Sequence, residues 1–331
     1  MSTNRIDAAK READEEAAAR KRLAMLPGFS AARADTARFE RLVGMTNRVW
    51  KVDTGGEAFC LRLPGSGAAA RIDRRIEERN ARLAAEAGVA PEVLYFDEDG
   101  VMLTRFVGGA LPLLPARVND SAGAIERTAI ALSRLHRSGV VFAGNFQAFH
   151  TIDSYAAILQ RLRAPLSKSE EDGMRTVREI GRALAQNPVP ARPCHCDPTG
   201  RNLLDTGERV WLVDWEYSGQ NDPSWDLAYF SIESRLDPAG DDTLLGAYFG
   251  RAPHAMEVAR VAVLKPVAEV LAGLWALIQH AEGNPGGNFR DYATGAFARA
   301  TERMANPDLH RHLKLLDRQG SASLDATQPL P

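Results

Sequence analysis

The sequence predicts an α+β chain in two lobes: a small, mostly antiparallel β lobe with one helix, then a larger, mostly helical lobe carrying one β island. Three observations predict this. Strand-like alternation with two tight-turn signals fills residues 41–106, helix-spaced apolar residues dominate after Asp120, and a Gly/Pro-rich stretch from Gly108 to Pro115 separates the two. The 331 residues agree with two lobes at roughly 150 residues per domain. A hydrophobic share of 45% beside 25% charged residues suits a packed core and excludes wholesale disorder.

The other bulk properties exclude further classes. A net charge of −2 lacks the basic excess of a polyanion binder, so no nucleic-acid partner is expected. Three cysteines make no disulfide framework, and a reducing, cytoplasmic location is expected. The most apolar stretch, Val261 to Ile278, is interrupted by Lys265, Pro266 and Glu269 and reads as a buried helix, not a membrane span. Residues 1–22 mix both signs of charge and do not read as a secretory signal.

Residues 8–26, rich in Ala, Glu, Lys and Arg, predict a helix closed by Pro27-Gly28, a mobile appendage within an N-terminal helical extension over 1–38. Strands at 47–53 and 58–63 flank Thr54-Gly55-Gly56-Glu57, a hairpin signal. A helix follows over 71–87, stopped by Gly88 and Pro91, and strands at 93–97 and 101–106 meet at Asp99-Gly100. This small lobe spans 39–107. The helical lobe spans 108–316, with helices around 125–136, 154–163, 170–186, 225–235, 242–250, 256–280 and 289–304. Short strands at 202–204 and 210–213 lie in the island from Pro193 to Trp215. A polar tail over 317–331 is expected to be disordered.

The island carries the sharpest chemical signal. His195-Cys196-Asp197 is followed by Asn202, five residues beyond the aspartate, and by Asp214 on a strand end twelve residues later. That is the layout of phosphoryl transfer from ATP. The first carboxylate orients a hydroxyl and accepts its proton, while the amide and second carboxylate offer oxygen ligands to Mg²⁺. Asp226 is expected to brace this loop and His195 to hold its backbone. Cys194 and Cys196 flank His195, but no second cluster completes a structural zinc site. In the small lobe, alternation puts Ala58, Cys60 and Arg62 on one strand face. That leaves room for a base and then a cation for phosphates. Glu77 and Glu78 are both candidate partners for Arg62, and Lys51 is an alternative phosphate contact. Gly44, Thr46 and Asn47 offer a short loop to phosphate oxygens, and the strip holding Thr104, Arg105 and Val107 would bond adenine through its backbone.

These motifs resemble the aminoglycoside phosphotransferase and choline kinase superfamily, relatives of protein kinases, and in particular its bacterial choline/ethanolamine kinase-like branch. The resemblance runs from about Phe39 to Arg303. It rests on Gly44-Met45-Thr46-Asn47, Leu61-Arg62-Leu63-Pro64-Gly65, the catalytic loop, the block from Asp214 to Ala228, Gly273-Leu274-Trp275 and Asp291-Tyr292. It implies a bilobal protein-kinase-like fold, ATP and Mg²⁺ as cofactors, and Glu77 as the partner of Arg62. It also implies Glu216, Tyr217, Trp275 and Tyr292, with Asp197, as the wall of a site for a small amino alcohol. Choline is expected first and ethanolamine next, with aminoglycosides, thiamine or other small alcohols as alternatives. A non-catalytic nucleotide-binding module is the alternative from another class. The chain departs from the eukaryotic pattern Phe-Trp-Gly-Leu-Trp at Ala272, where one aromatic wall is missing.

Overall fold

The computed structural model describes residues 2–42, 44, 47–65 and 72–325; over 2–9, 11 and 318–325 it describes the helical backbone only. The chain divides into two compact units, Met1–Gly109 and Ala110–Pro331.

Unit 1 is a five-stranded antiparallel sheet in the order β1-β2-β3-β5-β4, built from β1 (Arg38–Leu42), β2 (Arg48–Asp53), β3 (Ala58–Leu63), β4 (Val93–Phe96) and β5 (Met102–Arg105). The β2–β3 turn closes through Thr54 N–H to Glu57 O, 3.0 Å, with Gly55 at φ 82°. One face of the sheet buries Trp50, Val52, Phe59, Leu61 and Leu103. That face is covered by α1 (Ser2–Ala24) and α2 (Ala31–Thr36). Ala19, Leu23 and Leu26 recur at intervals of four and three residues, which is one helical stripe, and they join the same core. Arg20 ties the corner. Its guanidinium donates to the carbonyls of Ala34, Asp35 and Ala37 and lies 4.5 Å from the Phe39 ring. The helix over 8–26 was expected to be a mobile appendage; in the fold α1 and α2, both within the helical extension over 1–38, form one wall of the unit 1 core. The charge-rich composition hid the apolar stripe, because only one residue in three or four of such a helix has to be apolar. The other sheet face keeps Arg62 and the helix α3 (Arg74–Glu86). Asp73 caps that helix by accepting from the Arg75 and Ile76 N–H groups, which sets Glu77 in its first turn.

Unit 2 is mostly helical. Its helices are α4 (Pro115–Asp120), α5 (Ala124–His136), α6 (Ala148–Arg161), α7 (Lys168–Gln186), α8 (Ser224–Glu233), α9 (Pro238–Phe249), α10 (Ala255–Ala281), α11 (Phe289–Ala305) and α12 (Pro307–Asp325). α10 is the central member. It packs against α6, α7, α8, α11 and α12, and it is long and apolar enough to cross a membrane, yet it is buried inside the protein. α12 continues past the expected start of the disordered tail at 317. Leu309 and Leu316, seven residues apart and both buried, anchor it, and the backbone ladder carries the helix to Asp325; 326–331 lie outside the described residues.

The β island is a three-stranded sheet of β6 (Leu111–Pro112), β8 (Leu203–Asp205) and β9 (Val210–Leu212), beside a two-stranded pair of β7 (Arg192–Cys194) and β10 (Gly219–Asn221). Gly200 lets the loop before β8 lie against the β6 end. A side chain there would have its Cβ 2.0 Å from the Leu113 carbonyl oxygen, which no residue but glycine avoids.

Candidate active site

The β8–β9 hairpin closes the gap between the two metal-type residues of the motif. Leu203 pairs with Leu212, and Val213 N–H donates to Asn202 O at 3.0 Å, so Asn202 and Asp214 emerge from adjacent strand ends. Asn202 Nδ2 donates to both the backbone carbonyl and Oδ2 of Asp197, each at 3.0 Å. Its amide nitrogen is thus spent on the neighbouring carboxylate, and Oδ1 is the atom left to serve as a metal ligand. Asp214 sits at φ 67°, as does Cys196. Two left-handed non-glycine residues flanking one motif mark a backbone held by its surroundings, at a cost of about 1–3 kcal/mol each.

Helix α8 does the holding. Trp225 Nε1 donates to Cys196 O at 3.0 Å. Asp226 accepts from the His195 and Cys196 N–H groups, each at 2.8 Å, and from His136 Nε2 at 2.9 Å. His195 spans the loop with Nε2 at 2.9 Å from Val213 O and Nδ1 accepting from Asp197 N–H at 3.3 Å. Those partners put the ring proton on Nε2, and burial holds the imidazole pKa below its ordinary value. His195 and Asp226 therefore brace the loop, as expected. Cys194 and Cys196 are buried, and burial pushes both thiols well up. Cys194 does lie with His136 and Asp226 in a buried group, but Asp226 already accepts three hydrogen bonds and His136 Nδ1 is taken by the Tyr248 hydroxyl at 2.8 Å.

One turn further along α8 a second group of polar side chains meets Asp197. Tyr229 hydrogen-bonds the Asp197 carboxylate, and Glu233, one turn on again, accepts from the Tyr292 hydroxyl of α11 at 2.6 Å. Burial pushes Asp197 well above the usual carboxylate range. The carboxylates of Asp214, Glu233 and Glu216 push it further, and the Tyr229 hydroxyl pulls the other way. Glu233 is also raised, by burial first. Tyr217 is half-buried in the same electrostatic neighbourhood, and burial, then Tyr155 of α6 and Glu216, raise it. The result is a cluster of carboxylates and phenol rings around Asp197. The Trp275 ring meets Phe289 edge-on at 5.4 Å, and Phe289 lies one turn before Tyr292 on α11. Trp215 and Trp225 are core residues, packed on His195 and on Phe146.

In unit 1, Arg62 pairs with Glu77 and not Glu78, which pairs with Arg82 at 3.0 Å. Arg62 is 4% exposed and Glu77 1%. Arg74 Nη1 adds a second cation 2.6 Å from Glu77, and Arg62 Nη2 reaches Gly100 O at 3.2 Å. Lys51 pairs with Glu40 at 3.4 Å. Gly44 is required where it stands, because a Cβ would sit 2.3 Å from the Asn47 carbonyl oxygen. Asn47 is buried, and its side-chain amide finds no hydrogen-bond partner among the described residues. Thr46 lies outside the described residues. Thr104 is buried in the β3–β5 ladder, Arg105 pairs with Glu57 at 2.6 Å, and Val107 is half-buried just beyond β5.

A model of the phosphotransferase enzyme family (APH) matches residues 40–259. The chain belongs to that family. This phosphotransferase is 30% identical over 261 residues to the protein LicA of Haemophilus influenzae, covering 75% of this chain and 94% of LicA. Among solved structures it is similar to a choline/ethanolamine kinase family protein from Mesorhizobium loti. The identity is 42% and the TM-score 0.82, covering 91% of this chain and 98% of the other. It is also similar to a LicA solved in complex with AMP, with 26% identity and a TM-score of 0.66, covering 81% and 92%. The phosphotransferase is a kinase-like α+β enzyme of the choline/ethanolamine kinase-like branch, and ATP is its phosphoryl donor. Two residues of its pocket went unnamed in the sequence reading, Tyr229 and Glu233. The available signal was their spacing from Asp226 by three and seven residues, which repeats on one face of α8.

Proposed function

We propose that this phosphotransferase moves the γ-phosphoryl group of ATP to the hydroxyl of a small amino alcohol, choline first and ethanolamine next. The observation that carries the reading is the gathering of Glu216, Glu233, Tyr217, Tyr229 and Tyr292 around Asp197. A quaternary ammonium has no N–H to donate and is held by carboxylate charge and aromatic faces, which this wall supplies. The kinship with a choline/ethanolamine kinase family protein supports it.

Asp197 accepts the acceptor's hydroxyl proton as that oxygen attacks the γ-phosphorus. The new P–O bond forms, the bond to the β-phosphate oxygen breaks, and ADP leaves. Asn202 fixes the Asp197 carboxylate while this happens. Asn202 Oδ1 and the Asp214 carboxylate fit Mg²⁺, being hard oxygen donors, and the Asp214 charge helps push up the pKa of the neighbouring Asp197. These two residues would hold the ion, and its charge would offset that of the phosphate oxygens. In unit 1 the nucleotide contacts are Arg62, steadied by Glu77, together with Gly44, Thr46 and Asn47 for phosphates and the Thr104, Arg105 and Val107 strip for adenine. Trp275, whose ring packs on Phe289, adds an aromatic face to the acceptor wall. Two of the three free cysteines are buried, in keeping with a cytoplasmic enzyme.

The test is ATP consumption with choline, ethanolamine, dimethylethanolamine, thiamine and kanamycin against a control without acceptor. Choline is expected to give the highest kcat/KM. Turnover with kanamycin alone, or ATP loss that needs no acceptor, contradicts the proposal.

A further inference from the structure

Glu269 takes no part in the chemistry above, yet it is a buried carboxylate in the middle of the core helix α10, with 1% of its side chain exposed. Arg299 of α11 grips it with both arms. Nε stands 2.8 Å from Oε1 and Nη2 2.9 Å from Oε2, while Arg303 Nε lies 3.9 Å from Oε1. Between this pair and Trp275, the Phe297 ring packs against Gly273, so the two helices are closely registered. Arg299 follows Tyr292 by two turns on the same face of α11, and it lies within electrostatic reach of both Tyr292 and Glu233. One helix therefore carries the hydroxyl that binds Glu233 and, seven residues on, a cation that Glu233 attracts.

We propose that Glu269 is a positioning residue that sequesters Arg299, so that Glu233 stays available to a cationic acceptor. The inference rests on the amino-alcohol reading. A guanidinium offers Glu233 charge and forked N–H donors, whereas a quaternary ammonium offers charge alone. An unsequestered Arg299 therefore outcompetes choline for that carboxylate. The bidentate pairing to Glu269 removes the competitor by satisfying it elsewhere. Arg235, which also faces Glu233 electrostatically, sits just past the end of α8 and is exposed, where water weakens its pull.

Steady-state kinetics on the full chain, with choline and its neutral carbon isostere 3,3-dimethylbutan-1-ol, test this. Glu269→Gln is expected to raise KM for choline by about tenfold, with KM for ATP and for the isostere unchanged within about twofold. Glu269→Gln combined with Arg299→Gln is expected to bring choline KM back to within about twofold of wild type, because no competitor remains. An equal rise for choline and the isostere, or a double variant no better than the single one, overturns the inference and leaves the pair as a helix clamp. Should Glu269→Gln not fold, Arg299→Gln alone decides, since Arg303 remains to partner Glu269. Choline KM at or below wild type supports sequestration, and a rise of about tenfold overturns it. A wild-type enzyme that turns over no cationic alcohol overturns the proposed function itself. A wild type active on choline, with Glu269→Gln unchanged in KM, overturns only this inference.

Discussion

The charged centre of unit 1 and that of unit 2 are built on opposite principles. Around Glu77 one carboxylate is shared by two arginines, Arg62 and Arg74, in a buried and nearly closed arrangement. Around Asp197 the charges share one sign: Asp214, Glu216 and Glu233 crowd a fourth carboxylate and push its pKa up. The first arrangement gathers two guanidinium groups, a chemistry suited to phosphates. The second accumulates negative charge suited to a metal ion and an organic cation. The two centres thus differ in the sign of the charge they gather, which is the property a ligand of either sign would read.

The largest effect comes from the residue at the middle of the acidic centre. Asp197→Asn is expected to cut kcat by about 10²-fold or more while KM for ATP stays within about threefold, since the carboxylate acts on the acceptor hydroxyl. A comparable rise in KM for ATP would move Asp197 to the nucleotide side and break the contrast. Next is the basic centre. Arg62→Ala is expected to raise KM for ATP by about tenfold and leave KM for choline nearly unchanged, with Arg62→Lys recovering part of the loss because it restores charge without the fork. An equal change for both substrates shows that Arg62 serves only the fold of unit 1.

How much of this was readable beforehand differs between the two centres for the same physical reason. Arg62 sits on a strand whose alternation declares its face, but Glu77 and Glu78 were both open as its partner, and the family resemblance rather than local rules favoured Glu77. Asp197, Asn202 and Asp214 were readable because a hairpin of fixed length joins them. The acidic wall was harder. Its carboxylates come from 197, 214, 216 and 233, and one of its tyrosines from 292, so no acidic run exists to find. Glu233 was missed because its partner lies 59 residues away on another helix. The N-terminal helices were misjudged because the partner of the Ala19, Leu23 and Leu26 stripe is a distant sheet face, and local composition cannot show whether such a stripe is covered.

The smallest expected effect concerns stability. Asp197 has a folded pKa above its unfolded value, so the stability of its protonated form is full below the unfolded pKa. That stability is lost as pH rises through the raised folded value. At pH 8 without Mg²⁺, Asp197→Asn is therefore expected to be more stable than wild type by about 1 kcal/mol, or about 2–4 °C in Tm. Added Mg²⁺ is expected to narrow the gap by stabilising the wild type. A less stable variant under chelation would show that the crowded carboxylates cost the fold nothing.

The opposition of the two centres rests most directly on whether the acceptor's charge is read. The deciding measurement compares kcat/KM for choline with that for 3,3-dimethylbutan-1-ol, which has the same shape and hydroxyl but no charge. With Glu216 and Glu233 beside Asp197, choline is expected to be preferred by about 10²-fold, the equivalent of about 2.7 kcal/mol. Equal kcat/KM for the two alcohols would contradict the account, because the acidic wall would then have no part in choosing the substrate.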